Sequence, residues 1–303
     1  MQTQIKAITP ESLRQAKNII MDGGVVAIPT ETVYGLGGNA FDDEAVKKIF
    51  EIKGRPNDNP LIAHVHSDYD LSQIIDYDPP YAKKLREAFL RETGIPIVAP
   101  SANLSRHVSP TSARHVFDDL QGKIPLILDG GNCVGGIEST VCDCTGDVPT
   151  ILRAGLVTKE MIIRAVGACN EYAPSFAAGE KVKSPGLLYK HYAPRCKTLL
   201  FSSENRDNAI SAYISEALEN KGVAVLCEES AIVEFEKVGA KCFNLGENHA
   251  EMANRLYDLL RQAESVCQVL IVLEPREKGG IMTGVLNRLR KACASEDIPH
   301  ESK

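Results

Sequence analysis

Two cations stand two residues apart, Lys53 and Arg55, in the run KGRPNDNPLIAHVH at 53–66. Pro56 and Pro60 stiffen the loop around them, and Asn57 and Asn59 add amide donors. Fixed cations beside amides suit phosphate or carboxylate oxygens. Taken alone, the same residues also read as a solvated helix end. Upstream, PTETVYGLGGNAF at 29–41 sets Thr30, Thr32 and then Gly35, Gly37 and Gly38 after an apolar run. That is either a strand end opening its hydroxyls and backbone to a ligand, or a plain glycine turn. PSANLSRHVSPT at 100–111 supplies Ser101, Asn103, Ser105, Ser109 and Thr111. Such a run binds phosphate through hydroxyls and backbone N–H groups, although Ser109-Pro110-Thr111 also suits a helix cap. DGGNCVGGIESTV at 129–141 delivers Ser139 and Thr140, and ILRAG at 151–155 delivers Arg153.

Several familiar devices are missing from this sequence. It holds no GxxxxGK[ST] phosphate loop, no HExxH and no GxSxG elbow. Gly35-Leu36-Gly37 lacks the third glycine of a dinucleotide fingerprint. His64 and His66 share one strand face, as metal pairs do and as ordinary strand residues do. By themselves the clusters point to an anionic ligand of the nucleotide kind, in a groove of Lys, Arg, Ser and Thr.

The elements that must hold these residues alternate between helix and strand. Thr9-Pro10 opens a helix with Leu13, Ala16, Ile19 and Ile20 on one face, stopped by Gly23-Gly24. Val25–Ile28 reads as a buried strand. Asp42-Asp43 starts a second helix, with Val46, Ile49 and Phe50 inward and Lys53-Gly54 at its end. Strands are expected at 61–66, 95–99, 124–128, 139–144 and 150–153, and helices at 79–93, 111–120 and 158–166. From about 170 to 194 the periodicity breaks, as in a linker. Beyond it, strands at 198–201, 223–227 and 269–273 alternate with helices at 209–220, 249–262 and 281–294. That predicts a small three-layer, Rossmann-like domain with a parallel sheet.

Composition supports a folded chain of about two domains. The 303 residues are 44% hydrophobic and 24% charged. No apolar run reaches the ~18 residues of a membrane span, and MQTQIKAITPE lacks the regions of a signal peptide, so a cytoplasmic protein is expected. The net charge of −6 argues against a broad electrostatic grip on nucleic acid and leaves room for a local basic groove. The nine cysteines are scattered without a CxxC pair, which predicts reduced, mostly buried thiols. Cys142-Asp143-Cys144 is half of a metal site with no second half in the sequence, so no metal ligands are assigned.

PTETVYGLG, KGRPNDNPL, PSANLS with SPT, and GGIESTV with ILRAG together closely resemble the YrdC-like family. SPGLLYKHYAPR and a last domain ending GVLNRLRKA resemble its long, two-domain form. The resemblance spans nearly the whole chain and rests on four ordered motifs. It implies an α/β fold: a YrdC-like twisted sheet with flanking helices over 1–180, a linker over 181–197, and a Rossmann-like domain over 198–303. It further implies a nucleotidyltransferase that takes ATP, L-threonine and bicarbonate (or CO2) to threonylcarbamoyl-AMP and pyrophosphate. The product passes to a tRNA threonylcarbamoyl transferase for N6-threonylcarbamoyladenosine (t6A), with at most weak tRNA contact by this chain. Mg2+ is expected on the triphosphate. By position, Lys53, Arg55 and Asn59 match the KxR signature and its Asn at the ATP phosphates, with Lys53 and Arg55 as the catalytic cations. Ser101 and Asn103 match the SxN signature; Ser109 and Arg153 fall on nucleotide contacts. Tyr189 lies in the linker, which folds back over the site in the long form. Thr32, His64 and Ser139 fall where the family contacts L-threonine.

At one place the chain departs from the family. Between the helix near Lys84 and the strand at Ile95, the family carries a PGPxT segment and a TVAVR strand whose Arg holds the threonine carboxylate. Here Lys83-Lys84-Leu85 runs through REAFLRETG into IPIVAPSAN, without that Arg or a nearby ATP-contacting Thr. Neither Arg86 nor Arg91 replaces the Arg without a rearranged backbone. Two functions therefore compete: the synthase, and a nucleotide- or RNA-binding paralogue that has lost part of the threonine site.

Overall fold

The computed structural model describes residues 1–56, 59–65, 70, 96–172, 192–219 and 222–293. The helix expected at 79–93, His66, Asn57 and most of the linker, Tyr189 included, lie outside the described residues. The chain divides into two compact units. The first is Met1–Ser105, Ser109–Cys133 and Glu138–Tyr189; the second is Arg106–Val108, Val134–Ile137 and Lys190–Lys303.

In the first unit a six-stranded sheet has the order β1-β6-β2-β3-β5-β4. Its strands are β1 (Gln4–Ala7), β2 (Val26–Ile28), β3 (Gly35–Asn39), β4 (Ala63–His64), β5 (Ile97–Val98) and β6 (Leu126–Asp129). β1, β6 and β2 run parallel, while β3, β5 and β4 are antiparallel to their neighbours. The strand period of two sorts the core between the faces. Val26, Leu126 and Leu128 pack with Ala16 and Ile20 of α1 (Pro10–Met21). Ala27 and Ile127 point the other way, into a cluster with Ile49 of α2 (Asp43–Lys53) and Val116 and Leu120 of α3 (Ala113–Leu120). α1 and α2 start where expected, on the N-caps Thr9 and Asp42, whereas α3 starts two residues later than expected and is capped by Ser112 rather than by Ser109 or Thr111; each cap side chain accepts from backbone N–H groups. A smaller sheet, β7 (Val141–Asp143), β8 (Thr150–Arg153) and β9 (Asn170–Glu171), packs Ile151 against Ile162 of α4 (Lys159–Val166).

The glycine run at 35–38 is neither a turn nor an open loop. It is β3, buried in mid-sheet. A Cβ on Gly35 would lie 3.0 Å from the Ala99 Cβ, and one on Gly38 3.1 Å from the Ile49 Cδ1. Close approach of neighbouring chains, rather than backbone mobility, selects glycine here.

In the second unit β10 (Lys197–Phe201), β11 (Val223–Cys227), β12 (Lys241–Asn244) and β13 (Val269–Leu273) form an all-parallel sheet in the order β10-β13-β11-β12. Leu199, Phe201, Val225, Ile271 and Leu273 pack with Ala209 and Tyr213 of α5 (Arg206–Glu219) and Ala231 and Phe235 of α6 (Glu229–Glu236). Alternate strand residues Leu200, Leu226, Leu270 and Val272 are buried as well, as are the inward faces of α7 (His249–Val266) and α8 (Ile281–Ala292). Burial on both faces explains why these strands read as continuous apolar runs. β12 and α6 are additions to the expected elements. All nine cysteines are free thiols, four buried and five half-buried. No helix among the described residues is long and apolar enough to cross a membrane.

Candidate active site

Lys53 ends α2 on its inward stripe, one turn beyond Ile49 and two beyond Ala45. It is 3% exposed, so it is not the loop cation that its motif suggests. Its ammonium donates to the backbone carbonyls of Ser101 and Asn103, the latter at 2.6 Å, with the Asn103 side-chain oxygen at 3.5 Å. The Lys53 carbonyl in turn accepts from the Ser105 N–H at 2.8 Å. The KxR and SxN motifs, some fifty residues apart in sequence, are thus joined through one lysine. The same loop is tied to β3: Leu36 N–H donates to Pro100 and Ala102 N–H to Tyr34.

Burial pushes the Lys53 ammonium down to about 7, and the neighbouring Arg55 charge pushes the same way. The carboxylates of Asp119 and Glu138 oppose that shift. Glu138 is buried and accepts from the Ser109 hydroxyl at 2.6 Å. Ser109 is therefore interior, with its hydroxyl committed to a carboxylate. Sequence reasoning passed over Glu138, although it lies inside the GGIESTV motif next to Ser139. An acid embedded in a glycine- and hydroxyl-rich motif was the available signal.

Arg55 is half-buried after the left-handed Gly54 cap and braces its own loop. Its Nε donates to Asn59 O at 3.1 Å and its Nη2 to Pro60 O at 2.8 Å. Asn59 is buried, and its Oδ1 has no hydrogen-bond partner among the described residues. An orphaned polar atom of this kind costs about 1–3 kcal/mol, which a ligand or water would recover.

The other three assigned contacts are more open. Thr32 lies in the bend after β2, its N–H donating to the Thr30 hydroxyl at 3.1 Å, the two hydroxyls 3.0 Å apart. His64, on the two-residue edge strand β4, is exposed and sits 3.3 Å from Ala99 O through Nε2. Protein crowding around the ring holds the imidazole below its ordinary range, against the pull of the Ala99 carbonyl and the Glu31 charge. Ser139 faces Arg153 of β8, whose Nε donates to Ser139 O at 3.1 Å and whose Nη2 lies 3.3 Å from the Ser139 hydroxyl. Burial pushes the Cys133 thiol, which lies by Thr30 and Glu31, up to about 11, which keeps it a neutral, unreactive group. Arg153 and Ser139 form one pair, Lys53 joins Ser101 and Asn103, and charge links Arg55 and Glu138 to Lys53.

A cleft of about 490 Å³ opens in the second unit, lined by Glu228, Glu247, Asn248, His249 and Glu277 among others. Glu228 pairs with Arg276 and Glu277 with His249. Three carboxylates make it a poor seat for a dinucleotide pyrophosphate.

A family model described as Threonylcarbamoyl-AMP synthase, C-terminal domain matches residues 157–294. The Sua5_yciO_yrdC model, described as telomere recombination, matches 18–91 and 82–155. The threonylcarbamoyl-AMP synthase of Bacillus subtilis (strain 168) is 35% identical over 327 residues, covering 94% of each chain. That of Pyrococcus abyssi (strain GE5 / Orsay) is 34% identical over 325 residues, covering 92% of this chain and 93% of its own. The crystal structure of P. abyssi Sua5 complexed with L-threonine matches with a TM-score of 0.83 at 33% identity, over 96% of both chains. The aligned share of this chain is about 285 residues against 327 alignment positions, so some forty positions of the Bacillus protein have no counterpart here. The family model breaks into two pieces that meet at 82–91, where the sequence departs from the family motifs. With matches at this identity over nearly its whole length, the chain belongs to the threonylcarbamoyl-AMP synthase family, whose enzymes make an adenylate for t6A modification of tRNA.

Proposed function

We propose that this chain condenses ATP, L-threonine and bicarbonate (or CO2) into threonylcarbamoyl-AMP, releasing pyrophosphate. The observation that carries this reading is the joining of the KxR and SxN motifs on the buried Lys53 ammonium, in a chain of this family. The threonine amine adds to CO2 and loses a proton, giving a carbamate. A carbamate oxygen then attacks the α-phosphorus as the bond to the pyrophosphate oxygen breaks. Both partners are anions, so the barrier is lowered by fixed cations rather than by a side-chain nucleophile. Lys53 and Arg55 supply that charge, with Asn59, Ser101, Asn103, Ser109, Arg153 and Tyr189 completing the ATP side. Thr32, His64 and Ser139 hold threonine. Of these, Ser109 contributes through the Glu138 pair that fixes its loop, since its hydroxyl is already engaged. A Mg2+ ion carried on the triphosphate would, when bound, offset part of the phosphate charge. The product is handed to a tRNA threonylcarbamoyl transferase, and the work is done in the cytoplasm. We retain the division into 1–180, linker 181–197 and 198–303 as part of this proposal.

A second reading rests on the forty unmatched positions and the break at 82–91. A chain without the family's carboxylate-holding Arg would bind nucleotide or RNA and not turn over. Pyrophosphate release, measured with ATP, threonine or bicarbonate omitted in turn, separates the two. Release that needs all three supports the synthase. ATP binding without threonine-dependent release supports the second reading, and a tRNA titration across salt concentrations then tests its RNA form.

A further inference from the structure

The second unit claims two short pieces of the first half of the sequence, 106–108 and 134–137, and both are gripped by one helix. Arg261 of α7, itself buried, donates from Nη2 to the carbonyl of Val108. Asn254, two turns earlier on the same face, donates from Nδ2 to Val134 O at 2.9 Å. Gly136 lies flush on the helix with φ +73°, and a Cβ there would sit 2.4 Å from both Ala253 O and the Asn254 Cα. The next residues in the chain are the assigned ones. Ser109 follows Val108, and Glu138 and Ser139 follow Ile137.

We infer that Arg261 and Asn254 are positioning residues for the synthase reaction, each fixing the backbone that presents one substrate's contacts. The inference rests on the functional reading above. Arg261 sets the carbonyl immediately before Ser109 and so acts on the ATP side. Asn254, with the close seat of Gly136, sets the approach to Glu138 and Ser139 and so acts on threonine. Neither residue touches the reacting groups. Catalytic geometry is sensitive to displacements of such loops, since shifts near 1 Å cost up to about a hundredfold.

The test compares Arg261→Ala, Arg261→Lys and Asn254→Ala in the full chain by steady-state kinetics and hydrogen exchange. Arg261→Ala is expected to raise the KM for ATP about fivefold or more while shifting the KM for threonine less. Arg261→Lys, which keeps one donor, is expected to recover most of that loss. Asn254→Ala, at an exposed contact, is expected to raise the KM for threonine more than that for ATP, which it reaches only through the Glu138–Ser109 pair. Equal losses for both substrates, or unchanged constants in a folded variant, would overturn the inference. Hydrogen exchange over 105–111 and 133–140 reads loop order without any substrate, so it stands even if the wild-type chain shows no turnover. Faster exchange in the matching loop of each variant supports positioning, and unchanged exchange refutes it.

Discussion

The nucleotide side and the threonine side of the proposed site are built differently. On the nucleotide side Lys53, Asn59, Asn103 and Ser109 are at most 4% exposed and Arg55, Ser101 and Arg153 are half-buried; Lys53, Asn103 and Ser109 are held by side-chain hydrogen bonds within the first unit. Thr32, His64 and Ser139 are half-buried or exposed, and His64 rides on a two-residue edge strand. A buried polar constellation is organised before any ligand arrives, and each of its members costs stability when removed. An open set contributes little to folding and must gain its order from the substrate. The contrast follows the sequence in part: the closed side keeps its KxR and SxN motifs, while the run that spans the break at 82–91 lacks the family's threonine-carboxylate Arg and one ATP-contacting Thr.

Lys53→Met should produce the largest effect, because it strikes folding and ATP together. It strands the Ser101 and Asn103 carbonyls, a cost of about 2 kcal/mol after allowing for the buried charge removed with it. ATP affinity should also drop by ~2 kcal/mol or more, roughly thirtyfold. Denaturant unfolding and ATP titration measure the two losses, and a variant with normal stability and normal affinity would dissolve the idea of a prebuilt nucleotide side. Arg55→Ala should come next and separate the two effects. Its side chain is half-buried and donates to carbonyls of its own loop, so stability should fall less than in Lys53→Met while ATP use falls about tenfold. Equal loss of stability would mean that Arg55 belongs to the interior like Lys53.

The pH dependence probes the same closed side. With its pKa depressed to about 7 from an ordinary 10.5, Lys53 binds fewer protons in the folded chain than in the unfolded one between those values. Its contribution to stability therefore rises with pH through that window. ATP reverses the balance, since the triphosphate favours the ammonium. Binding at pH 8 should take up a fraction of a proton, and affinity should weaken as pH rises above 7. Calorimetry in two buffers of different ionisation heat detects the uptake. Its absence in wild type, or its persistence in Lys53→Met, would remove Lys53 from the ATP site.

Chemistry was easier to read from this sequence than depth. The motifs announce themselves because KGR, SAN and GGIEST gather charge, amide and hydroxyl at fixed places. Burial does not. Lys53 looks like a loop cation, yet the spacing Ala45, Ile49, Lys53 puts it on the inward stripe of α2. Ser109 reads as a free hydroxyl because its partner, Glu138, lies 29 residues away. The strand β3 was obscured by its own composition, since glycine argues against a strand until Ala99 and Ile49 are seen against it. The parallel sheet of the second unit was plain by contrast, because burial on both faces leaves apolar runs that no other element explains.

Thr32→Ala should have the smallest effect, and it tests the open side directly. The Thr32 hydroxyl meets the Thr30 hydroxyl, and Thr30 is otherwise held by its own bond to Val33 O at 2.6 Å. Losing the Thr32 hydroxyl therefore leaves the bend intact, and stability should stay within about 0.5 kcal/mol. If that hydroxyl contacts threonine, the KM for threonine should rise about fivefold, the worth of one neutral hydrogen bond, with ATP unaffected. Parallel losses for both substrates would show that the two sides are one cooperative site. No change for either would place the threonine contacts elsewhere, and would leave Lys53 and its partners as the only organised part of the centre.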